Sequence, residues 1–354
     1  MAESSEVEVV LDPVKASTLL DLEQGRISQG LSAEAARPGI WIRGLDTRFR
    51  TVWRGGRVIG IGTDEAIEDR LGRERSLLSL HLISAALLSR PNLSQLLQTT
   101  KKLAEATSPD AVEGSTIYVI APHTNQTIPL LHGHLARTLS DSPAAIELLK
   151  RVQVLQYFDF AGLAEAVAEV GEAVYRRTQQ TRELQEEHKS ENIGNQVMDV
   201  VLIQGLGQTA TSTYRRSGVV HANALLANLT RNIVQLSRMS ADVLVLVDVS
   251  VEFDSVKENN TGLEASRRFA TGMELESAFS GPSGEHLRLI CGNESLSRTL
   301  GTAFDCLVAV HDGLGRVKDR TKQPRKGQQV VEVLKDRLGD TTGLWAVWTT
   351  NDQT

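Results

Sequence analysis

Short runs of apolar residues recur along this sequence, and longer stretches with helical spacing of apolar positions separate them. Each run has four to eight residues and is rich in Val, Ile and Leu. Strands that are buried on both faces of a sheet have this composition. The predicted strands are residues 57–61, 115–120, 152–155, 198–203, 243–249, 287–291, 307–311 and 328–335.

Amphipathic helices are predicted between these strands, over residues 77–88, 160–177 and 217–237. Alternation of strands and helices is typical of the α/β class, with a mostly parallel sheet covered by helices on both faces. The last three predicted strands follow one another with little helix between them, which indicates an antiparallel edge. We expect loops at residues 259–284 and 316–326, which lack a clear period.

The pattern also divides the chain into two parts. Residues 1–37 are acidic and mixed in pattern, which predicts an N-terminal appendage that is partly flexible. The regular alternation begins after it, so the core is predicted to span residues 38–350.

The composition of the chain excludes several classes of protein. The chain has 354 residues, of which 41% are hydrophobic, so it has enough apolar material for a full core. Cys291 and Cys306 are too few for a disulfide framework, and no basic-then-apolar leader or long apolar segment is present. We therefore expect a cytosolic or nuclear protein without a membrane partner. The net charge of −6 means that any contact with nucleic acid must come from a local basic patch.

A metal site is not predicted. His123, His132 and His134 lie close together in the sequence, but no Asp, Glu or Cys stands at ligand spacing from them. The run around them has the pattern of a helix.

Six segments carry a resemblance to a known family. They are GLDTRFRTVWRGGRVIGIG at 44–62, STIYVIAPHT at 115–124, VQVLQYFDFAGLAEAVAEV at 152–170, MDVVLIQGL at 198–206, ADVLVLVDVSVEF at 241–253 and the closing region at 300–348. In this order they resemble the RecA-type ATPase core and, more closely, the eukaryotic strand-exchange recombinase and its paralogues. The resemblance implies a RecA-like P-loop NTPase-type core, with a twisted, mostly parallel sheet and an antiparallel C-terminal edge.

The phosphate loop of such an ATPase is missing from the expected place. The motif G-x-x-x-x-G-K-[ST] supplies backbone N–H groups, a lysine and a Mg²⁺-binding hydroxyl to the phosphates. Here the first predicted strand contains Gly60 and Gly62, and no Gly-Lys-Ser/Thr follows it. Arg75 and Ser76 are the nearest equivalent, but they stand further from Gly62 than the motif allows. The intervening residues include several acids, which repel a triphosphate.

Two further catalytic groups are also missing. The strand that resembles the Walker B strand ends in Gln204, and a neutral amide cannot replace a carboxylate at a hard cation. Pro122 falls where the resemblance implies a glutamate general base, and proline cannot activate water. The sequence therefore predicts a degenerate nucleotide site, a pseudo-ATPase without catalytic activity, and no cofactor.

DNA contacts are predicted in two loops and one basic window, because the family places two DNA-facing loops after its central strands. The first loop, at 205–218, ends in Tyr214, Arg215 and Arg216, which suit base stacking and phosphate contact. The second, at about 254–285, contributes Lys257, Arg267 and Arg268. The most basic window contributes Arg316, Lys318, Arg320, Lys322, Arg325 and Lys326. The alternative at each place is a set of solvated side chains.

Partner binding follows from the resemblance and from one aromatic segment. Paralogues with inactive ATP sites commonly persist as one half of a heterodimer, so the resemblance implies another paralogue subunit as partner. Trp41, Phe49 and Trp53 lie in a segment rich in arginine, and Trp and Arg are favoured at interfaces. The alternative is that these rings complete the core.

The function that we expect is therefore that of a nuclear, non-catalytic recombinase paralogue. It would bind single-stranded or forked DNA and a partner paralogue, and promote assembly of the recombinase filament in homologous recombination and DNA repair. Contact with the strand-exchange recombinase itself is a further expectation. Two alternatives stay open: an active DNA-dependent ATPase with a displaced phosphate loop at Arg75 and Ser76, and a protein–protein scaffold without DNA contact.

Overall fold

The computed structural model describes residues 39–64, 77–89, 115–123, 126–188, 198–253, 272–279, 286–312 and 328–349. A 3₁₀ turn at Thr47–Thr51 precedes the first strand, and Asp46 caps it by accepting a hydrogen bond from the Arg48 N–H. The helices are α1 (Leu77–Leu88), α2 (Thr127–Leu139), α3 (Ser142–Leu149), α4 (Phe160–His188), α5 (Leu206–Ser217), α6 (Val219–Met239) and α7 (Glu294–Ala303).

The strands form one sheet in the part of the chain that the structure describes. They are β1 (Arg57–Asp64), β2 (Ile117–Pro122), β3 (Val152–Tyr157), β4 (Asp199–Ile203), β5 (Val243–Phe253), β6 (Gly272–Leu275), β7 (Leu287–Ile290), β8 (Cys306–Asp312), β9 (Gln328–Asp336) and β10 (Trp345–Thr349). The order across the sheet is β10-β9-β8-β1-β5-β4-β2-β3, and β7 joins the far end of β5 with β6 beside it.

Strand direction confirms the predicted α/β class. Strands β8, β1, β5, β4, β2 and β3 run parallel, with Ile61 opposite Asp248 of β5 and Val308 of β8. Strands β9 and β10 add the antiparallel C-terminal edge. This mostly parallel sheet, with helices on both faces and an antiparallel C-terminal edge, is the architecture that the sequence predicts.

Helix α3 and strand β10 are not among the predicted elements, and two further details differ from the prediction. The short helix α7 lies between β7 and β8, where little helix was expected; Asn293 caps it by accepting from the Leu296 N–H, and one side of it is buried. Strand β6 lies inside the segment that was predicted as a loop at 259–284, and it pairs antiparallel with β7. Strand β6 has only four residues, which are too few for a clear period, whereas α7 does have helical spacing of its buried residues Leu296, Leu300 and Ala303.

The sheet separates two apolar cores. The first core contains Val58 of β1 together with residues of α4, α5, α6 and α7. The second core contains Ile59 and Ile61 of β1 together with residues of α1, α2 and α3. Alternate residues of a strand point to opposite faces, so a sheet with two covered faces needs the nearly continuous apolar runs seen in the sequence. No helix in the described residues is long and apolar enough to cross a membrane.

Buried carboxylates hold the amino ends of the parallel strands. Asp199 at the start of β4 accepts hydrogen bonds from the Thr116 N–H at 2.8 Å and from Arg177 of α4 at 2.8 Å. Asp305, just before β8, accepts from the Val58 N–H at 2.9 Å and from Arg238 of α6 at 2.7 Å. Each carboxylate therefore fixes a helix of the first core to two strands.

Candidate functional site

The two glycines of β1 serve strand packing. Gly60 and Gly62 are paired on both sides, with β5 and with β8. A Cβ at Gly62 would lie 2.6 Å from Cγ1 of Val251, and one at Gly60 would lie 2.7 Å from Cδ1 of Leu307. Neighbouring side chains thus require glycine at both positions. Strand β1 continues to Asp64, past the point where a phosphate loop would begin.

A polar network lies at the carboxyl ends of β4 and β5, where open α/β sheets commonly bind their ligands. Gln204 follows β4 directly and is 7% exposed. Its Nε2 donates to Oδ2 of Asp248 at 2.7 Å, and its Oε1 accepts from the Thr127 hydroxyl at 2.5 Å. The Ser79 hydroxyl donates to Oδ1 of Asp248 at 2.5 Å. We call these four residues the carboxyl-end network.

Each member of the carboxyl-end network comes from a different part of the fold. Ser79 is in the first turn of α1, Thr127 begins α2, Gln204 follows β4, and Asp248 lies within β5. Of these four residues, Gln204 alone was predicted from the sequence. The signal for Asp248 was its position as an acid inside the apolar run VLVLVDVSVEF, where even a half-buried carboxylate needs hydrogen-bond donors.

Pro122 packs against the same end of the sheet. Gly205 has a positive φ of +76°, and a Cβ there would lie 2.6 Å from Cγ of Pro122 and 2.8 Å from the Tyr157 hydroxyl. The Tyr157 hydroxyl donates to the Gln204 carbonyl at 2.6 Å. Burial raises the pKa of Tyr157 to about 12, so this phenol stays protonated and acts as a hydrogen-bond donor.

The chemistry of this arrangement is that of a packed polar core. Gln204 and Pro122 stand where the resemblance implies a Walker B carboxylate and a general base. The amide of Gln204 is instead held at both its oxygen and its nitrogen, and the ring of Pro122 packs on the backbone of Gly205. Neither side chain offers a carboxylate to a cation or to a water molecule.

The first predicted DNA loop is a helix in the structure. Residues 206–217 form α5, Gly218 has a φ of +82°, and α6 begins at Val219. Leu206 and Ala210, spaced four residues apart, are buried and explain why this polar segment is helical. The expectation of an open loop at 205–218 is therefore wrong.

The three predicted DNA-binding residues of this segment lie in the last turn of α5. Arg215 and Arg216 are exposed, and neither forms an ion pair with another described residue. Tyr214 is half-buried and packs against the first core. This arrangement leaves the two guanidiniums open to solvent and limits the stacking surface of the phenol.

The other predicted residues have mixed outcomes. Trp53 and Phe49 are buried in the second core, which corrects the expectation that they form an interface, whereas Trp41 is 52% exposed. The predicted appendage at 1–37 lies outside the described part of the chain. The following predicted site residues also lie outside it: Arg75, Ser76, Lys257, Arg267, Arg268, Arg316, Lys318, Arg320, Lys322, Arg325 and Lys326.

Comparisons with known proteins found matches only among solved structures. No family model and no curated protein sequence matches the chain. Among solved structures, the RadB recombinase is similar, with 14% identity and a TM-score of 0.44 over 85% of this chain and 90% of that chain. A helicase ATPase domain is 12% identical, with a TM-score of 0.43 over 97% of each chain.

Proposed function

We propose that this chain is a non-catalytic recombinase paralogue, which acts in the nucleus by binding DNA and a partner paralogue and so promotes recombinase filament assembly in homologous recombination. The observation that carries the proposal is the carboxyl-end network. Gln204 takes the place of the Walker B carboxylate, and Thr127 and Asp248 hold its amide at both ends.

The absence of catalysis is supported by how the carboxyl-end network and Pro122 are built. A lost catalytic residue leaves a gap or a buried polar group without a partner unless the surroundings adapt. Here the hydroxyl of Thr127 and the carboxylate of Asp248 complement the amide of Gln204. The surroundings have adapted to the neutral residue, as expected of a site that no longer hydrolyses ATP.

DNA binding is supported by the turn between α5 and α6. Arg238 near the end of α6 donates to the Gly56 carbonyl, which precedes β1. Because α6 spans 21 residues, its first turn lies about 30 Å away, toward the carboxyl ends of the strands. Arg215 and Arg216 are exposed beside that turn and are placed to contact phosphates at this end of the sheet.

Partner binding is supported by the edge of the sheet at β3. This strand is the last in the sheet order, and Val154 within it is exposed. Phe158, which follows the strand, is 81% exposed, and Ile146 on α3 is exposed nearby in sequence. An edge strand with apolar side chains in solvent is a template for another chain, and a second subunit would cover it.

The test is fluorescence anisotropy with labelled single-stranded and forked DNA, at two salt concentrations, with and without Mg-ATP. We expect salt-sensitive binding that Mg-ATP does not change. The double substitution of Arg215 and Arg216 by Ala should weaken single-strand binding about tenfold and make the log–log salt slope shallower by about 1.4, which is the loss of two phosphate contacts. The matched control replaces Arg176 and Arg231, two exposed arginines, by Ala and should leave binding unchanged.

The same experiment separates the alternatives. ATP-dependent DNA binding with turnover of ATP would overturn the non-catalytic assignment in favour of an ATPase with a displaced phosphate loop. Absence of DNA binding, both by the chain alone and after its partner subunit is added, would favour the scaffold.

A further inference from the structure

A cleft lies on the face of the sheet that α1 and α2 cover, and it shares no lining residue with the carboxyl-end network. Residues 39–43, the second half of α1, the end of α2 and the end of β10 surround it, with a volume of about 820 Å³. Clefts of this size are large enough to bury most of a bound small molecule or a few side chains of a peptide.

The floor of the cleft is apolar and aromatic. Ile42 and Trp348, both buried, contribute to it, as does Leu88 of α1. Ser84 also lines the cleft; it is 1% exposed, and its hydroxyl has no hydrogen-bond partner in the described part of the chain. A buried hydroxyl without a partner is uncommon and indicates a group that a ligand can satisfy.

The rim of the cleft carries positive charge. Arg43, Arg50 and Arg137 line it and are exposed, and no aspartate or glutamate is among the described residues that line it. None of these three arginines forms an ion pair with another described residue; Arg137 donates through Nε to the Gly133 carbonyl of its own helix. The charge of the rim is therefore available to an anionic ligand.

Trp41 also lines the cleft, and about half of this large residue is exposed to solvent. Exposed tryptophan beside arginine is the composition of interface hot spots, and an apolar centre inside a charged rim is the usual anatomy of a protein interface. We infer that this cleft binds an acidic segment of a partner protein, whose apolar or aromatic side chain enters the floor while its carboxylates meet Arg43, Arg50 and Arg137.

A peptide fits the cleft better than a nucleic acid does. Single-stranded nucleic acid needs a basic groove that follows its backbone over several nucleotides. The three guanidiniums here surround one depression with an apolar floor. This inference does not depend on the proposed function, since the cleft is separate from both the carboxyl-end network and the turn between α5 and α6.

The experiment begins with selection of binders from a random library of twelve-residue peptides on the full chain. We expect enrichment of sequences in which Asp or Glu flank an aromatic or aliphatic residue. No enrichment, or a consensus without acidic residues, would overturn the inference.

An enriched peptide is then synthesised with a fluorescent label, and its affinity is measured by anisotropy. Arg43→Glu with Arg137→Glu should weaken binding about tenfold or more, and Trp41→Ala by about tenfold. The control, Arg176→Glu with Arg231→Glu, makes the same change of charge on exposed helix positions of α4 and α6 and should stay within about twofold.

Circular dichroism checks that each variant folds, and Arg→Gln replaces Arg→Glu at both positions if the reversal unfolds the chain. Equal affinity of the peptide for the folded cleft variant and the control would overturn the inference. The inference would also be overturned if a labelled oligothymidine binds the natural chain and the control variant but not the cleft variant, because the cleft would then be a nucleic-acid site.

Discussion

The two ends of the central sheet hold their carboxylates in different ways. At the amino end, Asp199 and Asp305 each bind a backbone N–H and a guanidinium from a helix. At the carboxyl end, Asp248 accepts from the hydroxyl of Ser79 and from the amide of Gln204. Both ends use side chains that are far apart in the sequence.

The difference separates structural from functional positions. Ion pairs at the amino end join helices to strands and are needed whatever the protein binds. The carboxyl end is where ligands commonly bind in open α/β sheets, and there Gln204 and Pro122 present an amide and a proline ring. The two ends therefore differ in the groups that donate to their carboxylates, which are guanidiniums and backbone N–H groups at one end and a hydroxyl and an amide at the other.

The largest effect should come from Asp305→Ala at the amino end. The change leaves the buried Val58 N–H without its acceptor and removes the partner of Arg238. We expect a loss of about 3 kcal/mol in the free energy of unfolding, measured by urea denaturation. Asp340→Ala, at an exposed position, is the control and should change stability by less than about 0.5 kcal/mol. An equal effect of both changes would show that the hydrogen bonds of Asp305 do not stabilise the amino end.

A smaller effect is expected from Gln204→Glu at the carboxyl end. The new carboxylate would face Asp248 across the 2.7 Å that now separates Nε2 from Oδ2, so a hydrogen bond becomes a repulsion. The expected loss is about 2 kcal/mol at neutral pH. Adding Asp248→Asn exchanges the amide and the carboxylate, and should restore most of that stability.

The double variant tests directly whether Gln204 and Asp248 are energetically coupled. If Gln204→Glu and Asp248→Asn destabilise additively, the two side chains are not coupled and the network does not act as a unit. If Gln204→Glu alone is stable and binds Mg²⁺ tightly, measured by titration calorimetry, the surroundings have not adapted to the neutral residue and this support for the non-catalytic proposal is lost.

The sequence predicted the sheet well because each buried strand leaves an apolar run. The runs at 57–61 and 243–249, for example, became β1 and β5 in adjacent, parallel positions. Strand β6 was not predicted because it has only four residues, and only the first and the last of them are buried. Helix α5 was predicted as a loop because its polar residues masked the spacing of Leu206 and Ala210.

The candidate site was predictable only in part. A motif shows which residue types are missing, so the sequence alone identified Gln204 and Pro122. It could not show that Thr127 and Asp248 complement Gln204, because side chains from different elements meet only through the register of the sheet and the packing of α2. The arginines of the cleft rim were noticed as a segment rich in arginine, but Arg137 joins them only in the fold.

The smallest predicted effect is the loss of stability in acid, which should differ between a group on α1 and a group at the amino end of the sheet. His81 lies two residues after Ser79 on α1, and burial, together with the nearby His134 and Arg137, lowers its pKa to about 3. The unfolded chain binds a proton at this histidine below pH 6.5, and the folded chain does so only near pH 3. Stability from this group is therefore complete above pH 6.5 and decreases as the pH falls.

At the amino end, burial raises the pKa of Asp199, and the nearby Arg177 partly offsets this rise. The folded state therefore holds the proton of Asp199 more tightly than the unfolded chain does, and acid does not weaken the contribution of this group to stability.

We expect the free energy of unfolding to fall by about 1–2 kcal/mol between pH 7 and pH 5 through His81, measured by urea denaturation at each pH. His81→Leu should flatten this dependence, whereas His221→Leu, which changes an exposed histidine, should not. An unchanged slope in His81→Leu would mean that another group carries the acid sensitivity. A flattened slope would place the acid-sensitive histidine on α1, the helix that supplies Ser79 to the carboxyl-end network, and not among the carboxylates of the amino end.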